Sequence, residues 1–282
     1  MSAPANFPDQ RRALAAELRR LRLDAELTGT QLADAVGMSQ SKVSKLETGR
    51  LTPSPEDVEA IGVALKVPAR ERKRLVEQSV ALGNEFKTWR QANRRGVTKV
   101  QQQLAELERN TTTFRYFNPA GIPGLLQSAE YARLVLVRRV TEREQLSTVV
   151  AARVARQEAL FDNGKVFSFV LTEAALRWRL GPPSVQVQQL AHIQSLASLA
   201  NVEVGVIEWH VQAPLIPLNA FSVYDDQLAT VETLSGEVTL RDDEDVGYYL
   251  ATFNELAELA SFGLRATHVL QRIQADLQHL ST

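Results

Sequence analysis

The 282-residue sequence has no cysteine, only four histidines and few aromatic residues, with Phe, Trp and Tyr together at 6%. Without cysteine, neither a disulfide scaffold nor a thiolate metal site is possible. The histidines are scattered and do not have the spacing of a metal site. They are His192, His210, His268 and His279. We therefore expect no metal and no other cofactor.

Two further absences narrow the class of protein. No apolar run approaches the length that crosses a bilayer, and the polar opening MSAPANFPDQRR lacks the apolar stretch of a signal peptide. We therefore expect a cytoplasmic protein without a membrane partner. The sequence also lacks a Gly-x-Ser-x-Gly elbow, a phosphate-binding loop and a Gly-x-Gly-x-x-Gly motif. No catalytic residues are visible, so we do not expect an enzyme.

The formal net charge of -1 conceals two halves of opposite sign. Residues 1–100 contain 18 Lys and Arg against 12 Asp and Glu, whereas residues 101–282 contain 14 against 21. A basic module favours polyanions and an acidic module is repelled by them. Contact with nucleic acid is therefore expected in the N-terminal part alone.

Residues 37–50, GMSQSKVSKLETGR, have the pattern of a short helix with a thin apolar stripe. Val43 and Leu46 lie three positions apart and share one helical face. Ser39 is suited to cap the start of this helix, and Gly49 is suited to end it in a left-handed conformation. The remaining side chains would then face outward.

A second capped helix precedes this one, from Gly29 to Val36, with Thr28 as its cap and Gly37 as its end. Two such helices joined by a tight turn match the helix-turn-helix. The plainer alternative is a helix pair that has only a structural role.

In a helix-turn-helix, the second helix lies in the major groove of double-stranded DNA. Amide, hydroxyl and ammonium groups on its outer face suit base edges. The predicted base-contacting residues are Gln40, Ser41, Ser44 and Lys45. The predicted phosphate-contacting residues are Thr28, Thr30, Lys42, Arg50 and Thr52. Because one helix reads only a few base pairs, we expect a homodimer that places two copies about 34 Å apart.

The sequence predicts an all-α DNA-binding domain of five helices over residues 1–80, a helical connector over 81–112 and an α/β or α+β domain over 113–282. Periodicity in the third segment alternates between helical and strand patterns. The first clear strand is predicted at KVFSFVL, residues 165–171, and three short strands are predicted between 220 and 241. The expected sheet is small and mixed.

Candidate binding residues in the C-terminal domain are few. Arg153, Arg156 and Gln157 stand about one helical turn apart and could clamp an anion, although solvated or salt-bridged arginines are the more common explanation of such a pattern. Glu173 follows the first predicted strand and is either a buried polar site or a helix cap. Trp209 and His210 follow a later strand and suit either a pocket rim or ordinary packing.

The stretch TGTQLADAVGMSQSKVSKLETGRLTPS resembles the phage-repressor type of helix-turn-helix, the xenobiotic-response-element family, in the form common in actinobacterial regulators. The later part is similar to a domain often attached to it there. The segments that carry this second resemblance are FNPAGIPGLLQSAEYAR, RVARQ, LTEAALR, NVEVGVIEW and VETLSG. Gly29 departs from the pattern, since many members have Gln there.

These resemblances imply a repressor-like DNA-binding domain and a C-terminal domain without established chemistry. Members are often encoded beside a small partner protein. We therefore expect a transcriptional regulator whose C-terminal domain senses a small-molecule effector or binds a small partner protein, and pairs the subunits. The alternative is an antitoxin-like DNA-binding protein that sequesters the product of a neighbouring gene.

Overall fold

The computed structural model of the chain describes residues 7–83, 85–94, 96–140, 143–216 and 218–280. The chain divides into two units. The first contains the residues up to Glu85 together with Leu240–Gly247, and the second contains Phe86–Thr239 and Tyr248–Thr282.

In the part of the chain that the structure describes, the first unit is built from five α-helices, as expected. They are α1 (Phe7–Asp24), α2 (Gly29–Val36), α3 (Gln40–Glu47), α4 (Pro55–Ala64) and α5 (Ala69–Leu82). Each helix contributes apolar side chains to one buried cluster. Its members include Leu14, Leu18, Leu32, Val43, Leu46, Val58, Ile61 and Leu75. Because α1 and α5 both pack into this cluster, the helix-turn-helix is enclosed by its own neighbours in sequence.

Among its described residues, the second unit combines a sheet with eight α-helices, of which the seventh begins in the first unit. The strands are β1 (Glu85–Thr88), β2 (Thr113–Asn118), β3 (Val166–Thr172), β4 (Val202–Ile207), β5 (Ala220–Tyr224), β6 (Leu228–Glu232) and β7 (Gly236–Leu240). The helices are α6 (Trp89–Asn93), α7 (Val97–Asn110), α8 (Ala129–Leu136), α9 (Arg143–Ala155), α10 (Glu173–Arg177), α11 (Pro183–Leu196), α12 (Asp243–Glu258) and α13 (Gly263–His279).

The sheet is mixed, with strand order β1-β7-β6-β5-β2-β3-β4. Strands β2, β3 and β4 run parallel, with Thr113 opposite Val166 and Phe167 opposite Val202. Strand β2 pairs with β5, and β5 with β6, in the antiparallel sense. Parallel neighbours need long crossovers, and helices α8–α9 and α10–α11 supply them. The three parallel strands therefore end at the same edge, where connecting loops gather.

Strand β3 shows why this part of the chain forms a buried sheet. In its sequence VFSFVLT, Phe167, Phe169, Val170 and Leu171 are all almost fully buried. A run that is apolar on both faces is typical of parallel strands covered by helices. The ring of Phe114 on β2 lies 6.0 Å from that of Phe167, which helps to fix the β2–β3 pairing.

Strand β3 confirms the strand predicted over residues 165–171. It is not the first strand, however, because β1 and β2 precede it, and that part of the prediction is wrong. Strand β2 carries the sequence TFRYFN and is held by partners on both sides, 50 or more residues away. Strand β1 lies at the edge of the sheet, beside β7. A side chain at Gly236 would collide with the carbonyl oxygen of Lys87, so the close approach of the two strands requires glycine there.

The segment predicted as a helical connector contains β1, α6 and α7. Helix α7 lies in the second unit and buries two polar residues, Gln101 and Glu108, on its inner face. Residues 240–247 lie in the first unit, where Asp243 Oδ1 is 2.6 Å from Arg11 Nη1 on α1. The chain thus passes from one unit to the other near residue 85 and again on either side of 240–247.

Candidate nucleic-acid interface and buried arginine network

The helix-turn-helix is defined at each boundary by a local cap. Thr28 Oγ1 accepts a hydrogen bond from the Gln31 amide at 3.2 Å, and the Gln31 side chain accepts one from the Thr28 amide at 2.8 Å. This reciprocal capping box starts α2. Gly37 has φ of +68° and ends it, and Ser39 then caps α3 by accepting from the Lys42 amide at 3.1 Å. The turn between the two helices is consequently short and well defined.

Helix α3 has one buried and one exposed face. Val43 and Leu46 are 1% and 0% exposed and belong to the core of the first unit. The four predicted base-contacting side chains, Gln40, Ser41, Ser44 and Lys45, are all exposed. An exposed face that offers amide, hydroxyl and ammonium groups has the chemistry needed to read base edges in a major groove.

An ion pair fixes the far end of α3 against α1. The Arg22 guanidinium donates from Nε to Glu47 Oε1 at 2.6 Å and from Nη2 to Glu47 Oε2 at 2.7 Å. Its Nη1 donates to the carbonyl oxygen of Leu27 at 2.7 Å. The hydrogen bonds that Arg22 donates to Glu47 raise the pKa of Arg22, and the negative charge of Glu47 also raises it, against the opposing effect of burial. The two residues are 25 positions apart, and sequence reasoning did not single them out.

The predicted phosphate-contacting residues differ in what their side chains already contact. Arg50 and Thr30 are exposed, and Thr28 is exposed while it caps α2. Lys42 Nζ lies 2.8 Å from Asp57 Oδ1 on α4, so a phosphate would share this ammonium group with a carboxylate. The Thr52 hydroxyl is buried without a hydrogen-bond partner in the described part of the chain. A phosphate contact by that hydroxyl would require the side chain to turn outward.

The six candidate residues of the C-terminal domain fall into two separate groups. Arg153, Arg156 and Gln157 are each 8% exposed and lie at the junction of α9 with the following 3₁₀ turn, Arg156–Phe161. Glu173, Trp209 and His210 lie where the parallel strands β3 and β4 end. The first group is a buried network, whereas in the second group Glu173 is buried and Trp209 and His210 are exposed.

The buried network joins α9 to α7 and to the 3₁₀ turn Gly124–Leu126. Arg156 donates from Nε and Nη2 to the two carboxylate oxygens of Glu108, with Nε 2.9 Å from Glu108 Oε2. Its Nη1 donates to Gln101 Oε1 at 2.8 Å. Gln157 Nε2 donates to the carbonyl oxygen of Gln127 at 2.6 Å. Glu108 therefore neutralises Arg156, and the network is a structural feature of the second unit.

Arg153 has different partners from Arg156. It donates from Nη1 to Gln127 Oε1 at 2.8 Å and from Nε to Gln101 Oε1 at 3.3 Å, and both acceptors are neutral amides. Burial, together with the positive charges of Arg156 and Arg139, lowers the pKa of Arg153 to about 10, against the opposing effects of Glu232 and Tyr116. The guanidinium nevertheless remains charged at neutral pH.

At the solvent-facing edge, the Glu173 carboxylate joins three elements. It accepts from Arg177 Nε at 2.8 Å, from Arg272 Nη2 of α13 at 3.2 Å and from the Trp209 amide at 3.3 Å. Burial by itself raises the pKa of Glu173, but these hydrogen bonds and the charges of the two arginines outweigh it and hold the pKa below its ordinary value. Thr172, and not Glu173, provides the side-chain cap of α10.

The aromatic candidates beside this carboxylate are exposed. Trp209 is 69% exposed, and His210 is exposed beside it, with Nδ1 4.0 Å from Glu208 Oε2. Arg272 Nη2 also contacts Glu208 Oε2 at 3.0 Å, so one arginine of α13 ties the ends of β3 and β4 together. This edge combines fixed charges with the exposed indole ring of Trp209 and the exposed imidazole of His210.

Sequence reasoning missed the partners that complete the buried network. Gln101, Glu108 and Gln127 are almost fully buried, although their residue types are usually exposed. The positions of Gln101 and Glu108 on the inner face of α7, seven apart, are the only sequence signal of their role. In the described residues, no group of three or more potential metal-ligating side chains comes together, and no helix is long and apolar enough to cross a membrane.

Comparison with protein families identifies two matching segments. The model described as a helix-turn-helix domain matches residues 13–75. The model described as "Domain of unknown function (DUF5753)" matches residues 101–272, which is more than half of the chain. The second match begins at Gln101, on the helix that enters the buried arginine network.

No curated protein matches the chain. Among solved structures, one match is TrmBL2, an archaeal chromatin protein described as showing a novel mode of DNA binding. It is 13% identical, with 87% of this chain and 92% of that chain covered, and the TM-score is 0.35. A similarity at this level carries no argument about the fold or function of this chain.

Proposed function

Because the chain belongs to the DUF5753 domain family and carries a helix-turn-helix domain ahead of that domain, we propose that it is a sequence-specific DNA-binding transcriptional regulator. The observation that carries this proposal is the exposed polar face of α3. That face is presented by a helix whose other side is buried and whose end is fixed by Arg22 and Glu47. We also propose that its helix-turn-helix is of the phage-repressor type.

In the proposed complex, α3 lies in the major groove, where Gln40, Ser41, Ser44 and Lys45 read base edges. Arg50, Thr28 and Thr30 contact phosphates and set the position of the helix on the duplex. Lys42 can contribute while still paired with Asp57, because an ammonium group has three donors. Thr52 is the weakest of the predicted phosphate contacts because its hydroxyl is enclosed.

A homodimer is part of this proposal. One α3 helix contacts only a few base pairs, and two copies on successive major grooves provide the affinity and selectivity that a regulator needs. The acidic second unit is the proposed pairing element, because DNA repels its net charge and it is therefore expected to lie away from the duplex. We further propose that the protein is cytoplasmic and that it has no catalytic activity.

The second unit is also proposed to receive the regulatory signal, either from a small-molecule effector or from a small partner protein. Its exposed apolar side chains support the alternative of an antitoxin-like protein that sequesters a neighbouring-gene product. These side chains include Trp178 at 65%, Trp209 at 69%, Ile216 at 82% and Leu218 at 81% exposure. Formation of a stable complex between this protein and the purified product of the neighbouring gene, with operator affinity unchanged, would favour that alternative over a sensor of a small-molecule effector.

The experiment that tests the proposal is selection of genomic fragments by the full chain, followed by titration of the recovered site. A regulator should enrich a few discrete sites with two-fold symmetry, and its affinity for them should fall steeply with salt because phosphate contacts release counterions. A Gln40→Ala, Lys45→Ala double variant is the control and should lose the enrichment. Equal recovery of all fragments by both proteins would argue against sequence-specific binding.

A further inference from the structure

Arg153 is a buried cation without a carboxylate partner. Its side chain reaches only Gln101 and Gln127, and no ion pair with it occurs among the described residues. A buried charge is costly unless an opposite charge or several hydrogen bonds compensate it. Arg153 is thus the least compensated charge of the buried network.

Arg156 provides an internal comparison three residues away. It binds both oxygens of Glu108 and shares the acceptor Gln101 Oε1 with Arg153. The network consequently contains two guanidinium groups and one carboxylate in direct contact, which leaves one positive charge without a contacting partner. Glu232 acts on Arg153 through its charge, but its carboxylate already accepts from Tyr116 Oη at 3.2 Å.

One edge of the Arg153 guanidinium is open. Nε and Nη1 donate to the two amides, whereas Nη2 has no hydrogen bond among the described residues. Nη2 is not fully enclosed by protein atoms. It therefore borders solvent, although Arg153 as a whole is only 8% exposed.

We propose that Arg153, oriented by Gln101 and Gln127, is a binding site for the oxyanion of a small effector, a carboxylate or a phosphate group. The anion approaches the open Nη2 edge and supplies the negative charge that the network lacks. Arginine suits this role because its planar donors match both oxyanions and its orientation is already fixed by two amides. The link from this site to DNA rests on the function proposed above, whereas the site itself does not.

Thermal unfolding of the full chain tests the site, with inorganic phosphate or acetate added against chloride at equal ionic strength. Either anion at about one hundred times its dissociation constant should raise the unfolding midpoint of the wild type by about 5 °C. Phosphate also stabilises proteins in general, and that effect should be the only one left in Arg153→Met. A response to phosphate alone would assign a phosphate group, and a response to both anions would assign oxyanions in general.

Arg156→Met is the matched control for the charge argument. In chloride, Arg153→Met should unfold at or above the wild-type midpoint because it removes the uncompensated charge. Arg156→Met should unfold well below the wild-type midpoint because it leaves Glu108 buried and unpaired. Equal destabilisation by both variants, or equal anion shifts in wild type and Arg153→Met, would overturn the site.

Arg153→Lys keeps the test decisive even if the methionine variant does not fold. It retains the charge but loses the planar fork, so the anion should bind at least tenfold more weakly. An unchanged anion affinity in Arg153→Lys would overturn the proposal. Operator affinity in chloride tests DNA binding separately. A thermal shift without any change in operator affinity would leave the anion site established and contradict only its role as a sensor.

Discussion

Gln40 and Lys45 illustrate how much of the proposed function depends on single side chains. Both are exposed on α3, and the stability of the first unit does not depend on them because Val43 and Leu46 provide the contacts of that helix with the core. Substitutions at the two exposed positions should therefore alter DNA binding without altering the fold.

We expect Gln40→Ala and Lys45→Ala each to weaken operator binding by about 1–3 kcal/mol and to change binding to random DNA little. Arg50→Ala should weaken both alike, because a phosphate contact carries no sequence information. Binding titrations on the two DNA types measure the difference. Lys73→Ala, which removes an exposed charge from α5, is the charge-matched control. Unchanged operator affinity in the first two variants would contradict the placement of α3 in the groove.

Glu237 on β7 is the basis of a prediction about pH. Burial, and next the charge of Glu232, raise the pKa of Glu237 to about 7, against the opposing effect of Lys87. The unfolded chain has the ordinary glutamate pKa, so the folded state binds the proton more tightly. The free energy of unfolding should therefore decrease as pH rises from about 4.5 to about 7, and level off above that.

Glu237→Gln should remove this dependence and raise the free energy of unfolding at pH 8 by roughly 2 kcal/mol. Urea denaturation between pH 5 and pH 8 measures both effects. Glu203→Gln is the control, since Glu203 is an exposed strand glutamate on β4. The prediction would be contradicted if the free energy of unfolding of the wild type, relative to that of Glu237→Gln, increased from pH 5 to pH 8. That result would mean that the folded state stabilises the ionised carboxylate.

Among the elements, those that depend on local signals could be predicted from the sequence. Thr28 and Ser39 cap helices as expected, and Gly37 and Gly49 adopt left-handed conformations with φ of +68° and +69°. Such caps act over three or four residues, so the sequence contains all that determines them. The helix-turn-helix and its exposed face were predicted for that reason.

Elements that depend on distant partners could not be predicted in the same way. Strand β2 is short and pairs with β3 and β5, and the order of the seven strands follows from such pairings. The role of α7 depends on Arg153 and Arg156, about 50 residues away. The sequence identified Arg153, Arg156 and Gln157 as a group but did not distinguish the paired arginine from the unpaired one.

The docking of α3 on α1 provides a prediction at the same scale. Arg22 and Glu47 are largely enclosed, with side chains 11% and 8% exposed, and they bond through two parallel contacts. Glu47→Gln or Arg22→Met should lower the free energy of unfolding by about 2–3 kcal/mol, since each leaves a poorly solvated charge without its partner. The combined Arg22→Met, Glu47→Gln variant should lose less than the sum of the single losses.

Chemical denaturation of the wild type, the two single variants and the double variant completes this double-mutant cycle. Operator affinity of the same four proteins tests whether the ion pair also orients α3. A pair that only stabilised the core would change unfolding alone, whereas a pair that also orients α3 would weaken operator binding in variants that remain folded at the assay temperature. Additive losses in the cycle would show that the two side chains do not interact in solution.

In the whole molecule, the DNA-binding unit has a core of its own. Every member of its buried cluster lies between Leu14 and Leu82. Residues 240–247 add a contact at Arg11, but that ion pair is partly exposed and is expected to contribute less than about 1 kcal/mol. The first unit should consequently fold without the second, whereas α7 should not be separable from the second unit because Gln101 and Glu108 are buried there.

The boundary of a DNA-binding fragment therefore belongs at residue 85. We expect the 1–85 fragment to be folded and monomeric, and to bind a full operator about 10²–10⁴-fold more weakly than the full chain, because it lacks the C-terminal domain that we propose holds a second copy beside it. Light scattering gives the mass, and titration gives the affinity. The 1–112 fragment should be less soluble because it exposes the inner face of α7.

A single half-site separates loss of pairing from damage to the reading helix. On half-site DNA, where only one α3 helix can bind, the 1–85 fragment and the full chain should have similar affinities per subunit, because both present the same exposed face. If the fragment were weak on the half-site as well, the second unit would have to support α3 directly. If it remained dimeric with full operator affinity, pairing would lie within the first unit, and the second unit would keep only its proposed role in binding the effector or partner.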